Sequence, residues 1–401
     1  MKPSPFLLAA TLLASSSISL AGTLRVEPGA DAQERLQTAL IEAKPGDTVE
    51  IGAGRFELTD GLSLDVDKVI VRGAGPGATI LSFKGQKGAG EGLLVTSDDV
   101  VLRGFAVEDS KGDGIKSKGA NRIVYHDLRV EWTGGPKTTN GAYGIYPVES
   151  RDVLINRVTV KGASDAGIYV GQSENIIVRN STAMFNVAGI EIENSYSADV
   201  YSNVAMHNTG GILVFDLPNL PKMGGHSIRV FSNRIDKNDT PNFAPKGNIV
   251  AIVPVGTGVL VMANKDVAVF ANAIGENQSA NVKLISYPLP FTDTTYLPSP
   301  RNVTVRDNMH GRSGFNPAYG GSAEANAMLA QGQFSVVWDG LGSAPGTIRV
   351  TDPVALLSLG LPRQAAPSSE AKPAPADLSK TAAMPEPAPI ILPESMEAAI
   401  R

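Results

Sequence analysis

The stretch AGIEIENS, Ala188 to Ser195, places two carboxylates two residues apart between isoleucines. On a strand, residues two apart share a face, so Glu191 and Glu193 would point one way and Ile190 and Ile192 the other. Their Cα atoms would then lie roughly 6.6 Å apart. Carboxyl groups about 6.5–9.5 Å apart suit an inverting glycosidase and about 5–5.5 Å a retaining one, and flexible glutamates could meet either condition. The same alternation is what any half-buried strand shows, with the glutamates as its solvated side. What the neighbouring strands place beside the pair decides between these readings.

The neighbours can be found because the chain repeats. Gly-Ile recurs at Gly114-Ile115, Gly144-Ile145, Gly167-Ile168, Gly189-Ile190 and Gly211-Ile212, at intervals of 30, 23, 22 and 22 residues. A second apolar series follows: NRIV from Asn121, DVLI from Asp152, NIIV from Asn175 and DVYS from Asp199. Later members are SIRVFSN from Ser227, DVAVFAN from Asp266 and NVTVRDN from Asn302. A unit of two or three short strands cannot bury its apolar face alone, and stacking its neighbours solves that. The expected architecture is a solenoid of parallel strands, the longer intervals being rungs with inserted loops. Asn180, Asn203, Asn233, Asn272 and Asn308 suit a stacked turn whose amides bond from rung to rung. At the front, Asp31 to Ala43 has helical spacing at Leu36, Leu40 and Ile41, with Asp31 as its cap, and would plug the first rung.

Rung stacking turns the sequence into a surface. Outward positions after each isoleucine are Lys116, Tyr146, Tyr169, Glu191 and Leu213, and two positions on come Lys118, Val148, Gly171, Glu193 and Phe215. At the next turn stand Glu149, Gln172, Asn194 and Asp216, with Asp165 just ahead of the Tyr169 strand. Processing a uronic acid requires removing the proton beside its carboxylate, neutralising that carboxylate, and a proton donor. Tyr146 and Tyr169 could exchange protons, a nearby cation favouring the phenolate. Lys116 and Lys118 could bind the carboxylate, and Glu149, Gln172, Asn194 and Asp216 could contact substrate. Asp165, Glu191 and Glu193 would be supporting or alternative acid–base groups. Exposed lysines, however, also protect sheets from sticking, and Asp216 could instead cap the loop Leu217–Gly225.

The opening PGDTVEIGAGRFEL with VIVRGAGPGATIL, followed by the Gly-Ile rungs, resembles the right-handed parallel β-helix superfamily. Its members include pectate lyases, alginate lyases and epimerases, and carbohydrate-binding or sugar-hydrolase domains. The resemblance implies an all-β right-handed parallel β-helix with an N-terminal capping helix. It also implies action on an acidic polysaccharide, by β-elimination or epimerisation. A non-catalytic carbohydrate-binding or envelope-assembly protein is the alternative, and a glycoside hydrolase using the paired glutamates the third.

Composition narrows the rest. A net charge of −5 over 401 residues with no basic run argues against nucleic acid. With no cysteine there is no disulfide or thiolate chemistry. His126, His207, His226 and His310 fall on different rungs without ligand spacing, so neither metal nor other cofactor is expected. Residues 1–21 read as a signal peptide, giving a periplasmic or secreted protein with no membrane span, expected to be a monomer. Residues 22–361 would form the solenoid, and the Pro/Ala-rich segment 362–401 a disordered tail. The loops at 217–225 and 287–300 are the candidates to cover the groove.

Overall fold

The computed structural model describes residues 21–88, 90–319, 322–341 and 347–401. The segment read as a signal peptide lies outside them, apart from Ala21. Each regular rung holds three short strands. In one, Tyr143–Val148 leads to Arg151–Asn156 and then to Thr159–Lys161, before the next rung begins at Ala166–Gly171. Like strands pair in parallel and in register, giving sheets of 12, 12 and 10 strands among the described residues. Sheet A contains Tyr143–Val148, sheet B Arg151–Asn156 and sheet C Thr159–Lys161.

Alternation explains the core. Ile145, Ile168, Ile190 and Ile212 stack inward on sheet A and are fully buried. The preceding glycines are required by close approach. A Cβ on Gly144 or on Gly189 would sit 2.6 Å from the carbonyl oxygen of Gly167 or Gly211 on the next rung. The Gly-Ile repeat is therefore a packing signature: the small residue lets the chain turn against its neighbour and the large one fills the core.

Asparagines hold the turns. The amide of Asn203 donates to the Asn233 side-chain oxygen, that of Asn233 to Asn272 (both 3.0 Å), and that of Asn272 to Asn308 (2.9 Å). Asn308 ends the ladder on Asp352 at 2.8 Å. Asn180 is not part of it. Arg179 pairs with Tyr201, so Ser181 stands opposite Asn203, and Asn180 takes the left-handed position beside it. A second ladder, Asn186–Asn208–Asn238–Asn277, runs along the turn from sheet C to sheet A at 3.0–3.1 Å. Asn233→Ala would leave the buried backbone and side-chain N–H groups of Asn203 without the oxygen they share, and would take one of two donors from the Asn272 oxygen, which keeps the backbone N–H of residue 233. It is expected to lower unfolding stability by about 2–4 kcal/mol, read by urea titration under circular dichroism.

Helix α1, Ala32–Glu42, packs on the first strands through Leu36, Ala39 and Leu40 and closes the front of the core. Asp31 makes no side-chain cap, and Ile41 points to solvent because the helix docks on one stripe only. At the back, α2 (Ala323–Leu329) packs beside the last rungs of sheet A.

The expectation of a disordered tail is corrected. Ala374–Ala376 adds an antiparallel strand to sheet A. Farther on, Leu392 and Met396, the latter in α3 (Glu394–Ala398), pack on Val124, Leu154 and Ile177 outside sheet B. Arg179 donates to Glu397 at 2.6 Å, and Arg306 grips Glu386 through two bonds of 2.7 Å. Low apolar content hid a few well-placed anchors and charges.

Candidate functional site

The outer face of sheet A carries the columns that the repeat implied. In the first, Lys116 pairs with Tyr146, Tyr169 with Glu191, and Glu191 with Leu213. In the second, Lys118 pairs with Val148, Gly171 with Glu193, and Glu193 with Phe215.

The glutamates are not a solvated side. Glu191 is 1 % exposed and Glu193 6 %. Tyr169, Leu213, Phe215, Val250, Val253 and Tyr296 pack into an apolar layer above them. Part of the cover is the expected loop after Ser286, where Tyr287, Phe291 and Tyr296 meet edge to face at 5.0–6.3 Å. The other part was missed: residues 241–254, whose Asn248 amide donates to Asp165 at 2.7 Å. The loop at 217–225 lies beside the layer, with Leu217 and Met223 contributing to it.

Beneath this cover Tyr169 donates to Glu193 at 2.6 Å. Neither carboxyl oxygen of Glu191 has a hydrogen-bond partner meeting ordinary geometry among the described residues, although Glu193 lies close enough to perturb it. Burial holds Glu191 well above the carboxylate range, reinforced by Asp165 and Glu193. Burial raises Glu193 to about 7, against the opposing effect of the Tyr169 bond. Asp165 also rises to about 7 by burial, and Asp113 to about 6. The result is a set of carboxyl groups poised around neutrality, with Glu191 holding its proton.

The tyrosines sit together but not as phenolates. The Tyr143 ring lies 4.5 Å from Tyr146 and 4.3 Å from Tyr169, and the latter two meet edge to face at 5.0 Å. Burial and neighbouring carboxylates push Tyr146 up to about 12 and Tyr169 well above 10. That corrects the expectation of a cation-stabilised phenolate, although the Lys116 amine does stand 5.0 Å from the Tyr146 ring centroid. Lys116 itself is engaged by Glu91 at 3.0 Å and Asp113 at 3.8 Å. Lys118 is exposed, three rungs from Glu193 in its column, roughly 14 Å at the inter-strand spacing.

The four turn residues also have structural duties. Glu149, Gln172 and Asn194 occupy the left-handed position of successive turns, with φ of 53°, 50° and 47°. Asn194 ties down the next loop, donating to the carbonyls of Leu217 (2.8 Å) and Lys222 (2.9 Å). Asp216 accepts the N–H groups of Gly224 and Gly225 at 3.1 and 2.8 Å.

Beside this cluster opens a cleft of about 480 Å³ that residue columns could not reveal, because inserted loops form its walls. Tyr196, Asp216, Lys222, Tyr296 and Arg301 line it. The Lys222 amine stands 4.4 Å from the Tyr196 ring centroid and forms no ion pair among the described residues. Arg301 is spent in part on the carbonyls of Leu297 and Ser299. Asp216 links the two regions, for it lines the cleft while its charge reaches Glu193. Among the described residues no group of three or more His, Asp or Glu side chains is placed to hold a metal ion, and no helix is long and apolar enough to cross a membrane.

The family described as the right handed beta helix region matches residues 68–220. The chain is a right-handed parallel β-helix. Solved structures share that fold along most of its length. The A-module of a mannuronan C-5 epimerase from Azotobacter vinelandii is similar at 16% identity, covering 81% of this chain and 91% of that one, with a TM-score of 0.51. A family 28 exopolygalacturonase from Yersinia enterocolitica is similar at 13% identity, covering 74% and 67%, with a TM-score of 0.50. So is a GH136 lacto-N-biosidase from Eubacterium ramulus, at 13% identity, 74% and 65%, and a TM-score of 0.50. No curated protein matches by sequence. At these identities the likeness carries the β-helix itself and not an activity.

Proposed function

We propose that this β-helix cleaves an acidic glycan, with Glu191 as general acid and Glu193 as general base. The observation that carries the reading is the Glu191 carboxyl, fully buried, without a hydrogen-bond partner among the described residues and held well above the carboxylate range by burial, beside a Glu193 raised to about 7. A pair whose surroundings separate acid from base in this way is what glycoside hydrolysis needs. Glu191 would protonate the leaving glycosidic oxygen, while Glu193 takes a proton from the water that forms the new bond to the anomeric carbon. Lys222 and Arg301 would hold substrate carboxylates in the cleft, with a sugar face against Tyr196. The 241–254 cover would have to lift, releasing the Asn248–Asp165 bond.

A second reading is uronate elimination or epimerisation. It is favoured by the protonated carboxyl groups of Glu191 and Asp165, which can donate hydrogen bonds to a substrate carboxylate and so neutralise it. Likeness of fold to a mannuronan C-5 epimerase is compatible with it.

A panel of alginate, pectate and glycosaminoglycans separates these. New reducing ends without ultraviolet absorbance support hydrolysis. Absorbance of unsaturated uronates supports elimination, and altered proton NMR of an intact polymer supports epimerisation. Binding without any product would leave a carbohydrate-binding protein and defeat both catalytic readings.

A further inference from the structure

Farther along the same face, the first column runs Leu213, Leu260, Lys283, Val337 and Leu357. A lysine in this otherwise apolar part of the column is the anomaly. Its side chain is not exposed at a rung edge but 7 % exposed, and it lines a cavity of about 460 Å³. The walls are apolar, among them Ile249, Val253, Leu260, Met262, Ile285 and Leu359. The tail forms one side through residues 365–371, fastened where Gln364 donates to the carbonyls of Tyr287 and Leu289 at 2.7 Å each. Two exposed apolar side chains, Ile252 and Leu289, belong to the same lining.

Counting donors and acceptors decides what the cavity lacks. The Lys283 ammonium offers three N–H donors and makes no hydrogen bond or ion pair among the described residues, and it stands over the Tyr319 ring face at 4.6 Å from its centroid. The Tyr319 hydroxyl is buried and likewise unpartnered. The nearby carboxylate, Asp339, is turned to the backbone, accepting the Ser286 N–H at 2.5 Å on one oxygen and the Leu341 N–H at 2.8 Å on the other, and makes no ion pair with Lys283. The unmet groups are therefore donors, one of them cationic, at one end of an apolar chamber of ordinary ligand size.

We propose that this cavity binds a small apolar carboxylate, its head held by Lys283 and the Tyr319 hydroxyl and its hydrocarbon body by the apolar walls. A glycan does not fit walls of this composition, so the site is separate from the Glu191 chemistry and stands whether or not that reading holds. Burial lowers the Lys283 amine to about 8, with Asp339 opposing, so it is charged at neutral pH. The other titratable groups lining the cavity are Asp339, Tyr287 and Tyr319. Burial raises the Asp339 carboxyl above its ordinary value, and burial moves both tyrosines upward, away from this range.

Calorimetric titration of the full chain with octanoate, 1-octanol and octylamine tests the site. Octanoate is expected to bind one-to-one, at least 10-fold more tightly than either of the others. Lys283→Met should weaken it at least 10-fold and Tyr319→Phe several-fold, with octanol unaffected by either. Affinity of the unaltered protein for octanoate should fall as pH rises from 7 to 10, because only Lys283 loses its charge there while the ligand stays ionised. Equal binding of octanoate and octanol, no binding, or an unchanged Lys283→Met variant would overturn the proposal. If Lys283→Met did not fold by circular dichroism, a flat pH profile of the unaltered protein would overturn it alone. None of these readings depends on glycan turnover.

Discussion

Glu191→Gln is expected to reduce glycan turnover by about 10²–10⁴-fold while leaving the solenoid folded, the range that general acid catalysis contributes. The amide matches a protonated carboxyl in shape and, like it, carries no charge. Since Glu191 holds its proton in its buried site, the change removes only the capacity to give that proton away. Stability should be nearly unchanged at pH 5 and clearly higher at pH 8, where the unfolded chain gains by ionising this glutamate and the folded one does not. Glu193→Gln should damage turnover as severely, by abolishing the base. Tyr169→Phe has a different signature, because the lost 2.6 Å bond favours ionised Glu193. Without it Glu193 binds its proton more tightly, so the acid limb of the pH–rate profile should move upward, with turnover recovered at higher pH. Steady-state kinetics of the three variants across pH 5 to 9 provide the test. Full activity in Glu191→Gln would remove it from the chemistry.

What sequence could and could not show follows from how the fold transmits information. In a parallel, in-register stack, a column is read by adding the repeat length, so Tyr169, Glu191 and Leu213 can be aligned without knowing the structure. The second asparagine ladder was equally legible, because Asn208, Asn238 and Asn277 repeat at the same 30- and 39-residue intervals as Asn203, Asn233 and Asn272. Inserted loops have no period, so neither the Asn248 contact with Asp165 nor the cleft between Lys222 and Arg301 left a signal. The same gap reversed the expected state of the tyrosines. Lys116 was visible on the neighbouring strand, but its engagement by Glu91 and the burial imposed by distant loops were not. The tail was misread for a related reason: its composition is that of a disordered segment, while its docking rests on Leu392, Met396 and two charged contacts.

The buried carboxyl groups also fix how stability should respond to pH. Burial disfavours the charged forms, raising Glu193 and Asp165 to about 7 and Asp113 to about 6, and holding Glu191 well above its ordinary value. A carboxyl raised in the folded state stabilises fully below its unfolded value, about 4, and that contribution is lost as pH climbs through the folded value. Stability should therefore fall between about pH 4.5 and 8. Each fully realised shift is worth a few kcal/mol at ~1.4 kcal/mol per pH unit, and mutual repulsion prevents the losses from being independent. Carboxylates such as Asp99 beside Arg122 and Glu108 beside Arg129 are lowered instead. They act in the opposite sense, withdrawing stability only as pH falls below about 4. Lys283, depressed to about 8, regains stability only above that pH, outside the window. The apparent melting temperature is expected to peak near pH 5 and to drop by several degrees by pH 8, for a loss of about 3 kcal/mol or more. In a Glu193→Gln, Asp165→Asn double variant two of the four raised groups are gone and Glu191 loses two carboxylate neighbours, so the decline should become clearly shallower. Calorimetric melts of both proteins from pH 4.5 to 8.5 measure it. A profile in the unaltered protein that is flat or rises toward pH 8 would show that these carboxyl groups are ionised in the folded chain, and with them the acid assigned to Glu191 would be lost.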